Sequence, residues 1–460
     1  MGARVSTTLF ARAALLPDGW AHDVRIAWNA TGELTAVTPA ATCMDGEASA
    51  ALVIPGMVNL HSHAFQRALG GMTEHAGEGP DSFWTWRDLM YRFARHITPE
   101  QIGAIAAQLY SECLRHGYTS VCEFHYLQRD IDGAAYTRPA HTAERVVAAA
   151  REAGIGITML PVLYSYSGFG ERTLTPQQAR FRTSAADVLG IVEALEPLRG
   201  ADVEVGAAPH SLRAASVRQI WELVDKLPTS RPLHIHIAEQ QGEVDQALAS
   251  VGLRPVAYML QELGLDARWT LVHATHLDAA ELAGVAASGA VAGLCPTTEA
   301  NLGDGLFPLA DFLAAGGRFG IGSDSHVSQS PVEELRLLEY GQRLRHQCRN
   351  VAVSDSQRSV GDFLWQGALA GGAQASGRRV GALAAGRRAD LIVLADGHPN
   401  LHGAALADVL GTLVFCGNDN LVKDVMVGGR WVVRDHQHFA QAAIAQRYIA
   451  TLATLRTFRP

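Results

Sequence analysis

The chain has 460 residues, of which 48% are hydrophobic and 18% are charged, and its formal net charge at pH 7 is −8. This length and composition are typical of a folded globular protein with a large core, and they exclude a disordered chain. The acidic balance argues against a nucleic-acid partner, and no apolar run reaches the roughly 20 residues of a membrane-spanning helix. We therefore expect no nucleic acid and no membrane among its partners.

Short strands are predicted at both ends of the chain. Residues 1–54 contain strand-like runs with a turn marked by Asn29 and Gly32. Residues 379–460 contain further strand-like runs, with a tight hairpin turn at Gly428–Gly429. Two β-rich ends that flank a long middle segment predict one small β-sandwich domain, built from both chain termini.

The middle segment, residues 55–378, alternates apolar strands with amphipathic helical patterns. Eight strand candidates occur, at residues 56–63, 119–126, 157–164, 203–211, 232–239, 270–275, 290–296 and 318–325. Eight strands separated by helices predict an α/β fold, a (β/α)8 TIM-like barrel.

Titratable side chains stand at the ends of four of these strand candidates. They are His61 and His63 on the first, His236 on the fifth, His273 on the sixth and Asp324 on the eighth. Residues i and i+2 of a strand point to one face, and the strand ends of a barrel meet at its catalytic mouth. Any one of these residues alone would more often be a core or loop residue with ordinary hydrogen bonds than a metal ligand. Together they predict a site for zinc, iron or a similar divalent ion.

The motifs around these residues carry a family resemblance. The stretches "PGMVNLHSH", "HIHIAE", "LVHATHL" and "GIGSDS", in this order, resemble the amidohydrolase superfamily. The stretches "FWTWRDLMY", "EFHYL", "APHSLRA" and "HIHIAEQQGEV" more narrowly resemble the formimidoylglutamate deiminases within it. The resemblance implies metal-dependent hydrolysis of N-formimidoyl-L-glutamate to N-formyl-L-glutamate and ammonia, a reaction of histidine degradation.

The resemblance also implies a role for each titratable group. The metal ligands would be His61, His63, His236 and Asp324. Asp324 would in addition take a proton from the attacking water, Glu239 would carry protons to the departing nitrogen, and His273 would stabilise the tetrahedral intermediate. Spacing alone does not decide between His234 and His236 as the ligand, and the family match favours His236.

The substrate implied by the resemblance carries two carboxylates, which arginine side chains bind well. Arg87 and Arg213 are the candidates, and both are predicted to lie in loops over the barrel mouth. For Arg87 the alternative is a surface ion pair with Asp88 or Glu74. The substrate-binding residues that the resemblance implies are Gln66, Arg87, Tyr126, His210 and Arg213.

The lysine count bears on the number of metal ions. The only lysines are Lys226 and Lys423. Two-metal enzymes of this superfamily usually carry a bridging carboxylated lysine after the fourth strand, which here ends in "GAAPHSL". A single ion is therefore expected, most simply Zn²⁺, with Fe²⁺ as the alternative.

Two residues of the quoted motifs stand apart from these roles. Asn59 occupies the position where the commonest superfamily pattern has an aspartate, and its amide oxygen could accept a hydrogen bond from a ligating imidazole. Trp84 is predicted to pack rather than to stack on the substrate.

Six scattered cysteines without a C-x-x-C pair, and an N-terminus without a long apolar segment, predict reduced thiols in the cytoplasm. The resemblance further implies a homodimer.

Two other functions compete with this interpretation. One is a related mononuclear-metal deaminase acting on a nucleobase, nucleoside or triazine, which the two candidate arginines disfavour. The other is a degenerate barrel that serves as a non-catalytic scaffold, which the complete set of candidate ligands disfavours.

Overall fold

The structure, a computed structural model, describes residues 7–76, 79 and 81–458. Its strands are β1 Thr8–Leu16, β2 Gly19–Trp28, β3 Leu34–Thr38, β4 Ser49–Pro55, β5 Met57–Ser62, β6 Tyr118–His125, β7 Gly156–Leu163, β8 Val203–Val205, β9 Ala208–Pro209, β10 Leu233–Ile237, β11 Trp269–His273, β12 Val291–Leu294, β13 Arg318–Ile321, β14 Leu391–Leu394, β15 Val422–Val427, β16 Arg430–Arg434 and β17 Gln437–His438.

Its α-helices are α1 Phe83–Ala94, α2 Pro99–Arg115, α3 His141–Ala153, α4 Ala185–Leu195, α5 Val217–Lys226, α6 Gln241–Val251, α7 Pro255–Glu262, α8 Ala279–Ser288, α9 Pro296–Leu302, α10 Leu309–Ala314, α11 Pro331–His346, α12 Val360–Ser376, α13 Leu406–Phe415 and α14 Gln441–Leu455. Within the described ranges, no helix combines the length and the apolar character that crossing a membrane requires.

The middle of the chain forms a closed parallel barrel. Strands β5, β6, β7 and β8 pair in this order with β9 added on β7, and β10 to β13 pair in order as a second group. A bridge between Ala207 and Leu233 joins the two groups, and a bridge between Ser62 and Asp324 closes the ring. The fourth position of the barrel is divided between the short strands β8 and β9. The predicted (β/α)8 barrel is confirmed.

A close approach between the last and first barrel strands places two of the candidate ligands side by side. A Cβ atom added at Gly322 would lie 2.7 Å from the backbone nitrogen of His61, so only glycine permits this packing. The Asp324 N–H donates to His61 O at 3.0 Å, and the His63 N–H donates to Asp324 O at 3.2 Å. The backbone therefore fixes Asp324 beside both histidines.

The two chain ends share one sheet, in the order β17-β16-β15-β14-β4-β1-β2-β3. Strand β4 from the N-terminal part pairs antiparallel with β14 from the C-terminal part, with Leu391 opposite Pro55. This sheet has its own small apolar core, which includes Ile26 and Leu391. The predicted β-domain built from both termini is confirmed, and its exact boundaries at residues 54 and 378 stay predictions.

The C-terminal segment also contains two helices that the strand pattern did not predict, α13 and α14. Tyr448 of α14 donates a hydrogen bond to Arg67 O at 3.3 Å, and Arg447 pairs with Glu152. Helix α14 therefore packs on the barrel, because its apolar residues, such as Ile444, are buried there.

Candidate metal centre and active site

Three histidines and one aspartate converge at the mouth of the barrel. The Nε2 atoms of His61, His63 and His236 lie 2.9 to 3.2 Å from one another. Asp324 Oδ1 lies 3.3 Å from His63 Nε2 and 3.5 Å from His61 Nε2. All four side chains are buried, and their ligand atoms lie within 4.8 Å of one another. The structure thus brings together the four residues that the sequence predicts as metal ligands.

The hydrogen bonds on the far side of two rings indicate which nitrogens carry protons. His63 Nδ1 lies 2.9 Å from Phe124 O, and His236 Nδ1 lies 3.0 Å from His210 O. A carbonyl oxygen only accepts, so each Nδ1 must donate, and the lone pair of each Nε2 faces the centre of the cluster. Burial lowers the pKa of His63 to about 3 and that of His236 well below its usual value, which keeps both rings neutral.

Lone pairs that converge in a buried cluster are suited to binding a cation between them. Four ligands on a tetrahedral zinc ion, with Zn–N distances of about 2.0–2.1 Å, would stand about 3.3 Å apart. The observed separations of 2.9 to 3.5 Å are close to that value. Neutral imidazoles and a carboxylate are also the protonation states that a metal needs. The cluster therefore fits a divalent metal ion.

Two neighbouring residues do not join this cluster. His234 turns away, with Nε2 2.8 Å from Ala375 O. Asn59 accepts a hydrogen bond from the Ser323 N–H at 3.0 Å and donates to Ser323 Oγ at 2.6 Å. In the described part of the chain the Asn59 amide bonds no ligating imidazole, and it ties the first barrel strand to the loop that carries Asp324.

A second group of titratable side chains lies beside the cluster. His273 Nε2 is 3.7 Å from Glu239 Oε1 and also 3.7 Å from Asp324 Oδ2, while its Nδ1 is 3.2 Å from Glu299 Oε1. Burial opposes protonation of His273, but the neighbouring carboxylates Glu239 and Glu299 raise its pKa well above the usual value. Burial raises the pKa of Glu239 to about 7. This group can hold and move a proton near neutral pH.

The backbone at these strand ends adopts an unusual conformation. Ala238, His273 and Asp324 have φ values of 49°, 66° and 45°, in the left-handed region that non-glycine residues rarely occupy. Each follows or ends a barrel strand at the mouth. Such strain persists where surrounding structure enforces it, and it turns His273 and Asp324 toward the shared site.

Two buried glutamates of the site were missed by sequence reasoning. Glu299 accepts the Cys295 N–H at 2.8 Å as well as facing His273, and it comes from α9, after the seventh strand. Glu123 accepts hydrogen bonds from Ser62 Oγ at 2.5 Å and from the Ala64 N–H at 2.7 Å. It therefore clamps the backbone that carries the two first-strand histidines. A signal for Glu123 exists in the sequence, since it is the one acidic residue of the strand candidate at residues 119–126.

A narrow cleft, with a cavity volume of about 40 Å³, opens beside the candidate metal centre. The five residues expected to bind substrate all line it, together with His63, His236, Glu239, His273 and Asp324. The Gln66 amide donates to Tyr126 Oη at 2.8 Å, so these two side chains form one polar unit in the wall. His210 lines the wall with its ring, and its carbonyl orients His236.

The two arginines reach this cleft from different elements. Arg87 lies in helix α1, which begins after Ser82 with Ser82 and Thr85 forming a capping box, so the predicted loop is wrong for Arg87. Arg213 lies in the turn between β9 and α5, as expected. The ion pair with Asp88 that was the alternative for Arg87 is present at 3.8 Å, a separation too long for a hydrogen bond. In the part of the chain that the structure describes, the buried Nε atoms of both arginines lack a hydrogen-bond partner.

Comparison with known proteins places the chain among metal-dependent hydrolases. Residues 52–432 match the model of the amidohydrolase family, and residues 6–49 match that of the formimidoylglutamate deiminase HutF N-terminal domain. A formimidoylglutamate deiminase of Pseudomonas aeruginosa is 51% identical over 98% of this chain and 99% of its own. A solved amidohydrolase from Brucella melitensis is 41% identical, covers 98% of this chain and 99% of its own, and has a TM-score of 0.92. An adenosine deaminase from Xanthomonas campestris, solved with bound zinc, is 20% identical over 98% of each chain, with a TM-score of 0.77, and shares the fold.

Proposed function

The chain belongs to the amidohydrolase family, and on that premise we propose that it hydrolyses N-formimidoyl-L-glutamate to N-formyl-L-glutamate and ammonia. Water adds to the formimidoyl carbon, the bond from that carbon to the terminal nitrogen breaks, and this nitrogen leaves as ammonia. The relative from Pseudomonas aeruginosa that carries this activity in its name is half identical over nearly the whole chain. The observation that carries the proposal is the pair of arginines beside the ligand cluster, whose buried Nε atoms lack a hydrogen-bond partner in the described parts of the chain, because the substrate has two carboxylates.

The proposed metal is a single zinc ion held by His61, His63, His236 and Asp324. When bound, it would supply a nucleophile at neutral pH by lowering the pKa of water to about 7. A single ion agrees with the positions of the two lysines, Lys226 on α5 and Lys423 on β15, since neither lies near the fourth strand's end. Iron in the same site is the alternative.

The remaining groups of the site divide the proton transfers. Asp324 takes a proton from the attacking water, because one of its oxygens faces the ligand cluster and the other faces His273. Glu239 gives a proton to the departing nitrogen, which is a poor leaving group unless it is protonated. A carboxyl group with a pKa of about 7 can both donate and accept that proton at neutral pH. His273 donates a hydrogen bond toward the negative charge that develops on the oxygen of the tetrahedral intermediate.

The substrate-binding roles follow from what each side chain can donate. Arg87 and Arg213 each bind one carboxylate of the glutamate part, since guanidinium groups offer two parallel N–H donors to a carboxylate. Gln66, Tyr126 and His210 line the wall between the arginines and the ligand cluster and orient the formimidoyl group.

We also propose a metabolic role, a cellular location and an oligomeric state for the protein. The reaction belongs to histidine degradation, and we place it in the cytoplasm because all six cysteines are unpaired. The homodimer that the family resemblance implies has a candidate surface on α11, where Leu344 is 80% exposed. Light scattering on the purified protein measures the oligomeric state directly.

Ammonia release over a substrate panel tests the proposed function. N-formimidoyl-L-glutamate, an aminopurine, an aminotriazine and an arginine-like amidine are each offered to the zinc-loaded protein. We expect turnover of N-formimidoyl-L-glutamate at least a hundredfold more efficient than that of any other compound. Ammonia release from the aminopurine or aminotriazine, with none from N-formimidoyl-L-glutamate, would overturn the proposal.

A further inference from the structure

One tryptophan lies against both candidate carboxylate-binding arginines. The Cζ atom of Arg87 lies 4.7 Å from the ring centroid of Trp84, and that of Arg213 lies 5.6 Å from the same ring. Arg87 comes from the next turn of α1, whereas Arg213 comes from the turn after β9, 129 positions along the chain. Trp84 is therefore the side chain at which two distant parts of the cleft wall meet.

An aromatic ring holds an arginine differently from a carboxylate. A ring attracts the planar face of a guanidinium group and leaves the N–H edges free, whereas a bonded carboxylate occupies those edges. The nearest carboxylates are too far for hydrogen bonds: Asp88 is 3.8 Å from Arg87, and Glu243 is 3.9 Å from Arg213. In the described parts of the chain, neither arginine Nε has found a partner, although both are buried. The two guanidinium groups are thus held in place with their donors open.

The indole is itself fixed by its surroundings. A Cβ atom added at Gly242, near the start of α6, would lie 3.6 Å from Trp84 Cζ2, so the ring rests against the helix backbone there. The ring of Phe83 lies 5.1 Å away in an edge-on arrangement. Glu243, the residue after Gly242, is a buried carboxylate 3.9 Å from Arg213. Trp84 therefore links the position of α1 to that of α6.

Two like charges near one ring repel each other, so the surrounding structure must hold them at their separation. We infer that Trp84 is a positioning residue that sets the distance between Arg87 and Arg213, and thereby selects substrates with two carboxylates on a five-carbon chain. The inference rests on the proposed function and deepens it, because it assigns the specificity for the glutamate part of the substrate to a residue that contacts the arginines. Trp84 would then affect substrate binding through its packing against the arginines, without contacting the substrate itself.

Three variants test the inference by kinetics on the zinc-loaded protein. Trp84→Leu removes the aromatic face, and we expect it to raise KM for N-formimidoyl-L-glutamate about tenfold or more, with kcat and metal content within about twofold of the native values. Trp84→Phe keeps a smaller ring, and its KM should lie between those of the native protein and Trp84→Leu. Trp221→Leu is the matched control, because Trp221 is 47% exposed and its indole N–H donates to Glu262 O, away from the cleft residues. It should leave KM unchanged.

The preference between two simple acids as inhibitors separates a specific effect on the arginines from a general loss of structure, which would weaken both acids alike. Glutarate carries two carboxylates on five carbons, and butyrate carries one on a similar chain. We expect the native protein to prefer glutarate over butyrate at least tenfold, and Trp84→Leu to lose most of that preference. An unchanged KM together with an unchanged preference in Trp84→Leu would overturn the inference. If Trp84→Leu does not fold, the same two measurements on Trp84→Phe decide it.

The role of Trp84 and the proposed function can be contradicted separately. Calorimetric binding of glutarate to the native protein and to the Trp84 variants needs no turnover. Loss of glutarate binding in the variants, in a protein that does not hydrolyse N-formimidoyl-L-glutamate, supports the role of Trp84 and contradicts the proposed function. Native hydrolysis with glutarate binding that is identical in all variants contradicts only the role of Trp84.

Discussion

Replacing Arg213 with alanine tests the binding of substrate apart from the chemistry. Arg213 is only 7% exposed, so a carboxylate bound to it is removed from water. Truncating one member of a buried charge pair costs about 2–5 kcal/mol, which corresponds to a rise in KM of about 30-fold to about 4,000-fold. We expect this rise for N-formimidoyl-L-glutamate, measured as steady-state ammonia release, with the bound metal unchanged.

The same substitution has a second effect that must be separated from the first. Glu243 is 1% exposed and would lose its positive neighbour, so the free energy of unfolding should fall. The double variant Arg213→Ala with Glu243→Gln removes that unpaired charge, and it should recover stability while KM stays high. Arg213→Lys keeps the positive charge but lacks the planar guanidinium group, so its KM should lie between those of the native protein and Arg213→Ala. Loss of metal in proportion to activity, with KM unchanged, would refute a substrate-binding role for Arg213.

Three further predictions concern single carboxyl groups. Glu239→Gln should lower kcat by about a hundredfold or more while the protein keeps its metal, because the leaving nitrogen loses its proton donor; native-like kcat would contradict this role. Glu299→Gln should lower kcat by about 10-fold to 100-fold at nearly constant KM, because His273 loses a charged hydrogen-bond partner worth about 1.5–3 kcal/mol; an unchanged kcat would refute it. Burial raises the pKa of Asp390 in the folded protein from 3.8 to about 6, so this group favours folding at low pH and that contribution is lost as pH rises from about 4 to about 6. In urea unfolding, the free energy of unfolding of Asp390→Asn relative to that of the native protein should therefore rise by about 3 kcal/mol across that pH window. A difference that does not change with pH would contradict this prediction.

Local pattern was sufficient for the fold and for placing candidate ligands at the strand ends, whereas the choice of His236 over His234 came from the family resemblance. His61 and His63 point to one face because strand residues alternate, and the barrel brings the end of the eighth strand, with Asp324, beside the first. The regular alternation of strands and helices fixes where those strand ends meet. Strand pattern failed at the C-terminus, where the apolar positions of α14 belong to a helix that packs on the barrel.

The contacts that shape the site could not be predicted in the same way. Glu299 reaches His273 from another element, and Trp84 meets Arg213 across 129 positions of the chain, so neither contact has a local signal. The loop expected for Arg87 overlooked the capping residue Ser82, which begins a helix there. Asn59 looked like a neighbour of the ligands by alternation alone, and only the close packing of the first and last strands turns it to Ser323.

The products of the reaction test the central claim most directly. Proton NMR of the zinc-loaded protein with N-formimidoyl-L-glutamate distinguishes the two bonds that water could break at the formimidoyl carbon. We predict N-formyl-L-glutamate and ammonia in equal amounts, because Glu239 protonates the terminal nitrogen while the arginines hold the glutamate part. Formation of glutamate and formamide, or no conversion by a fully metal-loaded protein, would contradict it.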